Sequence, residues 1–164
     1  MADVESAVSL IRFVWREFFG THSDESVRTY LGEPAAFEDV TSGAYSQPRN
    51  LFLVAVDEDH VIATGAVWHV DATSCELRRM FVHPNYRRRG IARQIAEELL
   101  EFAARAGYEV VRLETNRTLS ASHQLYESLG FAYAQPFQGV DEDDVYYMER
   151  PIQGVTARAT DSGT

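Results

Sequence analysis

Three observations predict a mixed α/β fold. Two apolar, strand-like runs, Leu51–Val56 and Val61–Val70, flank the polar turn Asp57-Glu58-Asp59-His60 and read as a hairpin. A strand, a helix and a second strand follow at Glu76–Val82, Gly90–Ala106 and Val110–Thr115. No repeat, low-complexity tract or Pro/Gly-rich linker interrupts the 164 residues, which suit one domain over residues 1–152.

Each element has its own signal. Residues 5–19 read as an amphipathic helix, with Val8, Ile11, Phe13, Trp15, Phe18 and Phe19 apolar and Gly20 as its stop. Residues 24–45 suggest one or two short helices, capped by Asp24 and interrupted at Gly32-Glu33-Pro34. Pro84 ends the strand Glu76–Val82, because proline cannot donate to a ladder. Ile91, Ile95, Leu99 and Phe102 recur at near-helical spacing before Gly107. Ser120–Leu129 reads as a helix closed by Gly130. Phe131–Phe137 and Val145–Ile152 read as two last strands around the acidic run Asp141–Asp144. Residues 153–164 are small and polar and are expected to form a flexible tail.

Composition narrows the function. With 45% hydrophobic and 12% aromatic residues the chain can bury a core without disulfides or a structural metal. Cys75 is the only cysteine, which excludes an intrachain disulfide and fits a reducing, cytoplasmic setting. There is no signal-peptide pattern and no apolar run of membrane-spanning length, so no membrane partner is expected. A net charge of −10 argues against nucleic acid as a partner. All 15 basic residues are arginine, and Arg87, Arg88, Arg89 and Arg93 cluster in this acidic background. Such a local positive site suits an anionic ligand.

The cluster opens a helix directly after a strand. A helix start presents unpaired N–H groups and a positive dipole end. Gly90 and Ala92 permit close approach, and arginines add charge-assisted donors, which together make a pyrophosphate cradle. A P-loop is excluded because no Gly-Lys-Ser/Thr follows, and the three-glycine dinucleotide fingerprint is missing. Alone, so short a pattern is also met as an ordinary capped helix with a basic first turn. The five histidines are scattered without metal-ligand spacing, and no Gly-x-Ser-x-Gly elbow accompanies Ser122-His123, so no metal is called for.

Context makes the pattern specific. Leu77-Arg78-Arg79-Met80-Phe81-Val82-His83-Pro84-Asn85-Tyr86-Arg87-Arg88-Arg89-Gly90-Ile91-Ala92 resembles the central strand, loop and cofactor-binding helix of the GNAT superfamily of N-acetyltransferases. Leu125-Tyr126-Glu127-Ser128-Leu129-Gly130-Phe131 resembles its second signature, at the expected separation. The resemblance is specific over residues 51–135 and only general before them. It implies a GNAT acyl-CoA acyltransferase fold, a mixed, mostly antiparallel twisted sheet flanked by helices, with acetyl-CoA as cosubstrate and an amine acceptor.

It also implies roles. The backbone of Met80, Phe81 and Val82 would meet the pantetheine arm and the acetyl oxygen, while Arg87, Arg88, Arg89, Gly90, Ile91, Ala92 and Arg93 would hold the pyrophosphate. Tyr126 matches the acid that protonates the departing thiolate; an unperturbed tyrosine, with a pKa of about 10, is protonated at neutral pH. Glu76, eleven residues before Arg87, stands where some members carry the base acting on the amine, or else it is a strand carboxylate paired with Arg78 or Arg79. Where many members have asparagine and alanine before the tyrosine, this chain has Leu119 and Ser122, and Asn116 is the substitute contact for pantetheine. The chain also opens on a helix, so a first edge strand is either absent or reduced to Met1–Val4. Transfer of another acyl group, and a non-catalytic CoA-binding module, are the alternatives. The acceptor is a small molecule or a peptide, and a homodimer is allowed for. The acidic run Asp141–Asp144 is either a solvated hairpin tip or an attractor for cationic acceptors.

Overall fold

The computed structural model describes residues 2–19, 37–137 and 143–152. Helix α1 (Ala2–Phe19) and the short helix α2 (Glu38–Thr41) precede a hairpin of β1 (Leu51–Asp57) and β2 (His60–His69). Then come β3 (Ser74–Val82), α3 (Ile91–Arg105), β4 (Val110–Asn116), α4 (Ser120–Ser128), β5 (Ala132–Ala134) and β6 (Val145–Pro151). The strands form one sheet in the order β1-β2-β3-β4-β6-β5. Only β3 and β4 pair in parallel; the other described pairs are antiparallel. A mixed, mostly antiparallel sheet flanked by helices is thus the observed fold.

The pleat sends alternate side chains to two apolar clusters. On one face Ala63, Val67, Cys75, Leu77, Val111, Leu113 and Met148 meet Ile95, Leu99 and Leu100 of α3 and Tyr126 of α4. A smaller cluster joins Val8 and Ile11 of α1 to Phe37 and Val40, with Phe52 and Phe81 packed against it. The helical period of α1 brings Ala7, Val8, Leu10, Ile11 and Val14 inward. Phe13, expected on that face, is instead 49% exposed and stacks on His83 at 5.2 Å. The side chains of Trp15, Phe18 and Phe19, and most of the segment 24–45, lie outside the described residues.

Gly65 sets how closely α3 can approach. A Cβ there would stand 2.4 Å from Ile95 Cγ2 and 2.8 Å from Met80 Sδ. Neither group can retreat without disturbing the main cluster. Gly65→Ala is therefore expected to cost about 1–3 kcal/mol by overpacking, a fall in Tm of roughly 2–12 °C by calorimetry.

One expectation needs correction. The strand expected over Phe131–Phe137 contracts to Ala132–Ala134, because Pro136 has no N–H for the ladder. Of the two alternatives for a first edge strand, the described residues fit its absence: Ala2–Phe19 is helical, and among the described strands β1 is the edge on that side.

Candidate active site

The central feature is an opening in the middle of the sheet. β3 and β4 pair only from Ser74↔Val110 to Leu77↔Leu113. Beyond Leu77, among the described strands β3 continues to Val82 paired with β2 alone, while β4 continues to Asn116 paired with β6. The His83 N–H donates to the Ile62 carbonyl of β2 at 2.8 Å. Backbone N–H directions alternate along a strand. The N–H groups of Val82 and Met80 therefore turn away from β2, into the opening.

A bulge fixes that direction at Met80. The β2–β3 register slips between Thr64 and Ala66, so Arg79 and Met80 together face Gly65. Arg79 takes φ 55°, a left-handed conformation that costs a non-glycine residue about 1–3 kcal/mol. The fully buried Thr64 hydroxyl donates to the Arg79 carbonyl at 2.6 Å. In a trans peptide the N–H points opposite to the C=O. Pinning the carbonyl toward β2 thus aims the Met80 N–H toward β4.

The Arg79 side chain is held as well as its carbonyl. Its guanidinium makes a two-point ion pair with Asp39 of α2, Nε to Oδ2 at 3.0 Å and Nη2 to Oδ1 at 2.6 Å. Tyr45 Oη also donates to Asp39 Oδ2, at 2.9 Å. Burial alone would raise the Asp39 carboxyl, but the hydrogen bonds and charge of Arg79, with Tyr45 and the Val40 amide, outweigh it. The group is held below its ordinary 3.8. A depressed carboxylate contributes stability that is present above the unfolded pKa and lost as pH falls through the folded one. Asp39→Asn should accordingly flatten the acid limb of Tm against pH below about pH 4.

At the mouth of the opening, Arg88 (φ 62°) and Gly90 (φ 77°) turn the chain into α3. The space around Gly90 is open, so the backbone angle rather than crowding favours glycine there. The first backbone bond at this end runs from the Gln94 N–H to the Gly90 carbonyl. The N–H groups of Ile91, Ala92 and Arg93 consequently lack an intrahelical acceptor. Arg87 turns back to the Val82 carbonyl and to Glu17 of α1, both at 3.3 Å. Arg93 reaches Ser128 Oγ and lies 3.6 Å from Glu97. Arg89 lies over the Tyr86 ring at 5.0 Å. Among the described residues neither Arg88 nor Arg89 has a carboxylate at ion-pair distance. Within the basic turn, Arg87 and Arg93 are thus tied to the protein, while Arg88 and Arg89 are not paired with a carboxylate among the described residues.

Tyr126 projects from α4 into the cluster against which Met80 and Val82 also pack. Phe131 meets its ring edge-on at 5.8 Å. Burial pushes its phenol up to about 12, so it stays protonated at neutral pH. Its hydroxyl has no hydrogen-bond partner among the described residues.

Glu76 stands in the interior of β3 between Trp68 and Arg112, rather than at a strand edge. Its carboxylate accepts from Arg78 at 3.0 Å, as the alternative pairing expects, and its side chain is 17% exposed. It lies on the face opposite α3. Asn116 Oδ1 is committed to a local turn, accepting from the N–H and hydroxyl of Thr118 at 3.0 and 2.8 Å. In the acidic run, Asp143 and Asp144 are exposed, and Asp141 and Glu142 lie outside the described residues. Cys75 is fully buried, and desolvation pushes its thiol up to about 12, which leaves it inert as a nucleophile. Sequence reading missed Asp39, Thr64 and Tyr45. A glycine inside a strand pattern was the available signal for close approach at Gly65; nothing local marks a pair 40 residues apart.

The model of the acetyltransferase (GNAT) family matches residues 7–131, the stretch that holds both the opening and the cradle. The chain belongs to this family. Acetyl-CoA-dependent N-acetylation is the general kind of reaction GNAT proteins perform. The chain is 34% identical over 117 residues to the uncharacterized N-acetyltransferase YsnE of Bacillus subtilis, covering 70% of this chain and 78% of that one. It is 40% identical over 119 residues to N-acetylaspartate synthetase of Xenopus tropicalis, covering 72% of this chain but only 42% of that longer protein. In fold it is similar to a PaiA N-acetyltransferase of Thermoplasma acidophilum solved with coenzyme A. That similarity has a TM-score of 0.72 at 19% identity, over 91% of this chain and 92% of that one.

Proposed function

We propose that this GNAT domain transfers the acetyl group of acetyl-CoA directly to a primary amine of a small molecule or peptide. The observation that carries the reading is the opening between β3 and β4, with the Met80 and Val82 N–H groups directed into it and the basic turn at its mouth. An extended amide-bearing arm fits there as a surrogate strand, and a diphosphate fits the free N–H groups of Ile91, Ala92 and Arg93 with Arg88 and Arg89 beside them. That a protein of similar fold, the Thermoplasma acetyltransferase, was solved in complex with coenzyme A supports coenzyme A as the ligand class.

In this mechanism Glu76, or a water it orders, removes a proton from the acceptor ammonium. The amine nitrogen then bonds to the thioester carbonyl carbon while the Met80 N–H stabilises the developing oxyanion. As the carbon–sulfur bond breaks, the nitrogen sheds its second proton to water, Tyr126 gives its own proton to the sulfur, and that water returns a proton to Tyr126, so that a neutral amide and CoA thiol leave. The Arg78 ion pair lies beside Glu76 on the sheet face away from α3, which makes that face the approach for the acceptor. Asn116 would contact the arm through atoms its turn leaves over.

The test combines a thermal shift with acetyl-CoA and a panel of amines assayed for CoA release, with products identified by mass. Stabilisation with release of CoA and a product heavier by one acetyl group is the expected outcome. Stabilisation without turnover on any amine would identify a CoA-binding module, and turnover only with a longer acyl-CoA would change the donor.

A further inference from the structure

Of the clamp on the β3 bulge only Arg79 lies within a sequence signature, and its partners Thr64 and Asp39 come from two other elements. Thr64 of β2 holds the Arg79 carbonyl at 2.6 Å, and Asp39 of α2 holds the Arg79 guanidinium at 2.6 and 3.0 Å. Both partners of the ion pair are well sheltered, at 17% and 16% side-chain exposure. Phe37 lies beneath the guanidinium at 5.8 Å and is itself 2% exposed. Tyr45 fixes Asp39 in turn, and its ring leans on Phe52 and Trp68 at 5.2 and 5.3 Å. The whole assembly bears on one peptide, Arg79–Met80, whose N–H faces the opening.

We infer that Asp39 is a positioning residue, which acts through Arg79 to hold the bulge so that the Met80 N–H meets the acetyl oxygen. This rests on the function proposed above. A fork-to-carboxylate pair suits the task because it fixes both the position and the plane of the guanidinium. An arginine held at φ 55° would otherwise favour relaxing to an ordinary extended strand, which would turn the Met80 peptide. Catalytic donors must be held to within a fraction of an ångström, and supporting partners usually do the holding.

The experiment compares binding of acetyl-CoA and of CoA to the wild-type chain, Asp39→Ala and Asp39→Asn. CoA lacks the acetyl group, so the ratio of the two affinities reports the contacts of that group, the Met80 N–H among them, and is insensitive to the fraction folded, while the carbonyl stretch below isolates the oxygen. Both variants should lose kcat by about tenfold, keep their affinity for CoA, and lose the preference for acetyl-CoA. The thioester carbonyl stretch of isotope-labelled acetyl-CoA should be lowered in the wild-type complex and return toward its free value in the variants. Asp39→Asn keeps the side-chain shape and serves if the alanine variant does not fold. A lower Tm with unchanged affinity ratio, carbonyl stretch and kcat would overturn the inference and leave Asp39 as an anchor for α2. If the wild-type chain itself bound acetyl-CoA no better than CoA and left the carbonyl stretch unmoved, the failure would lie with the proposed acetyl site.

Discussion

Tyr126→Phe is expected to lower kcat about a hundredfold, within the ordinary range for a general acid, while acetyl-CoA affinity stays within about twofold. The substitution keeps the ring, its edge-on contact with Phe131 and its place in the main cluster. It removes one hydroxyl that has no hydrogen-bond partner among the described residues, so no buried acceptor is stranded and stability should hold or rise slightly. Because burial pushes the phenol up to about 12, the group remains protonated well above neutrality. The wild-type kcat should therefore show no alkaline limb from Tyr126 below about pH 10. Stopped assays of CoA release across pH check both statements. Turnover of the phenylalanine variant within about twofold of wild type would make Tyr126 a packing residue and assign the proton to water.

Reversing the charge of Arg88 and Arg89 together is expected to weaken acetyl-CoA binding by more than tenfold. Each side chain offers charge-assisted hydrogen bonds worth roughly 1.5–3 kcal/mol to a phosphate oxygen, and one such bond lost already predicts the lower bound. Glutamates in their place add repulsion at the mouth of the opening. Arg87→Glu is the informative contrast. Arg87 is occupied with Glu17 and the Val82 carbonyl, so its reversal should mainly loosen α1 from the turn and change affinity less. Calorimetric titration with acetyl-CoA, at one fixed salt concentration because the attraction is screened, distinguishes the two. Equal losses from Arg87→Glu and from the double variant would place the diphosphate on Arg87 as well.

Local pattern decides part of this fold, and contact over distance decides the rest. The hairpin, the helix from Ile91 and the strand–helix–strand core are legible because periodicity and turn residues are local, and a few neighbouring side chains decide them. The same holds for the basic turn and for the signature around Tyr126, since each is a run of residues adjacent in the chain. Strand order is another matter: β6 inserts between β4 and β5 because pairing is chosen by the fit of whole faces. The length of the β3–β4 ladder, which ends at Leu77 and creates the opening, depends on how two strands diverge under the sheet's twist. So does the fate of Glu76, whose partners Trp68 and Arg112 belong to neighbouring strands. The bulge is the clearest case. Arg79 takes a conformation its residue type disfavours, and no neighbour in sequence compels it. Thr64 and Asp39 hold it there from 15 and 40 residues away, an arrangement that exists only once α2 and the hairpin have closed on β3.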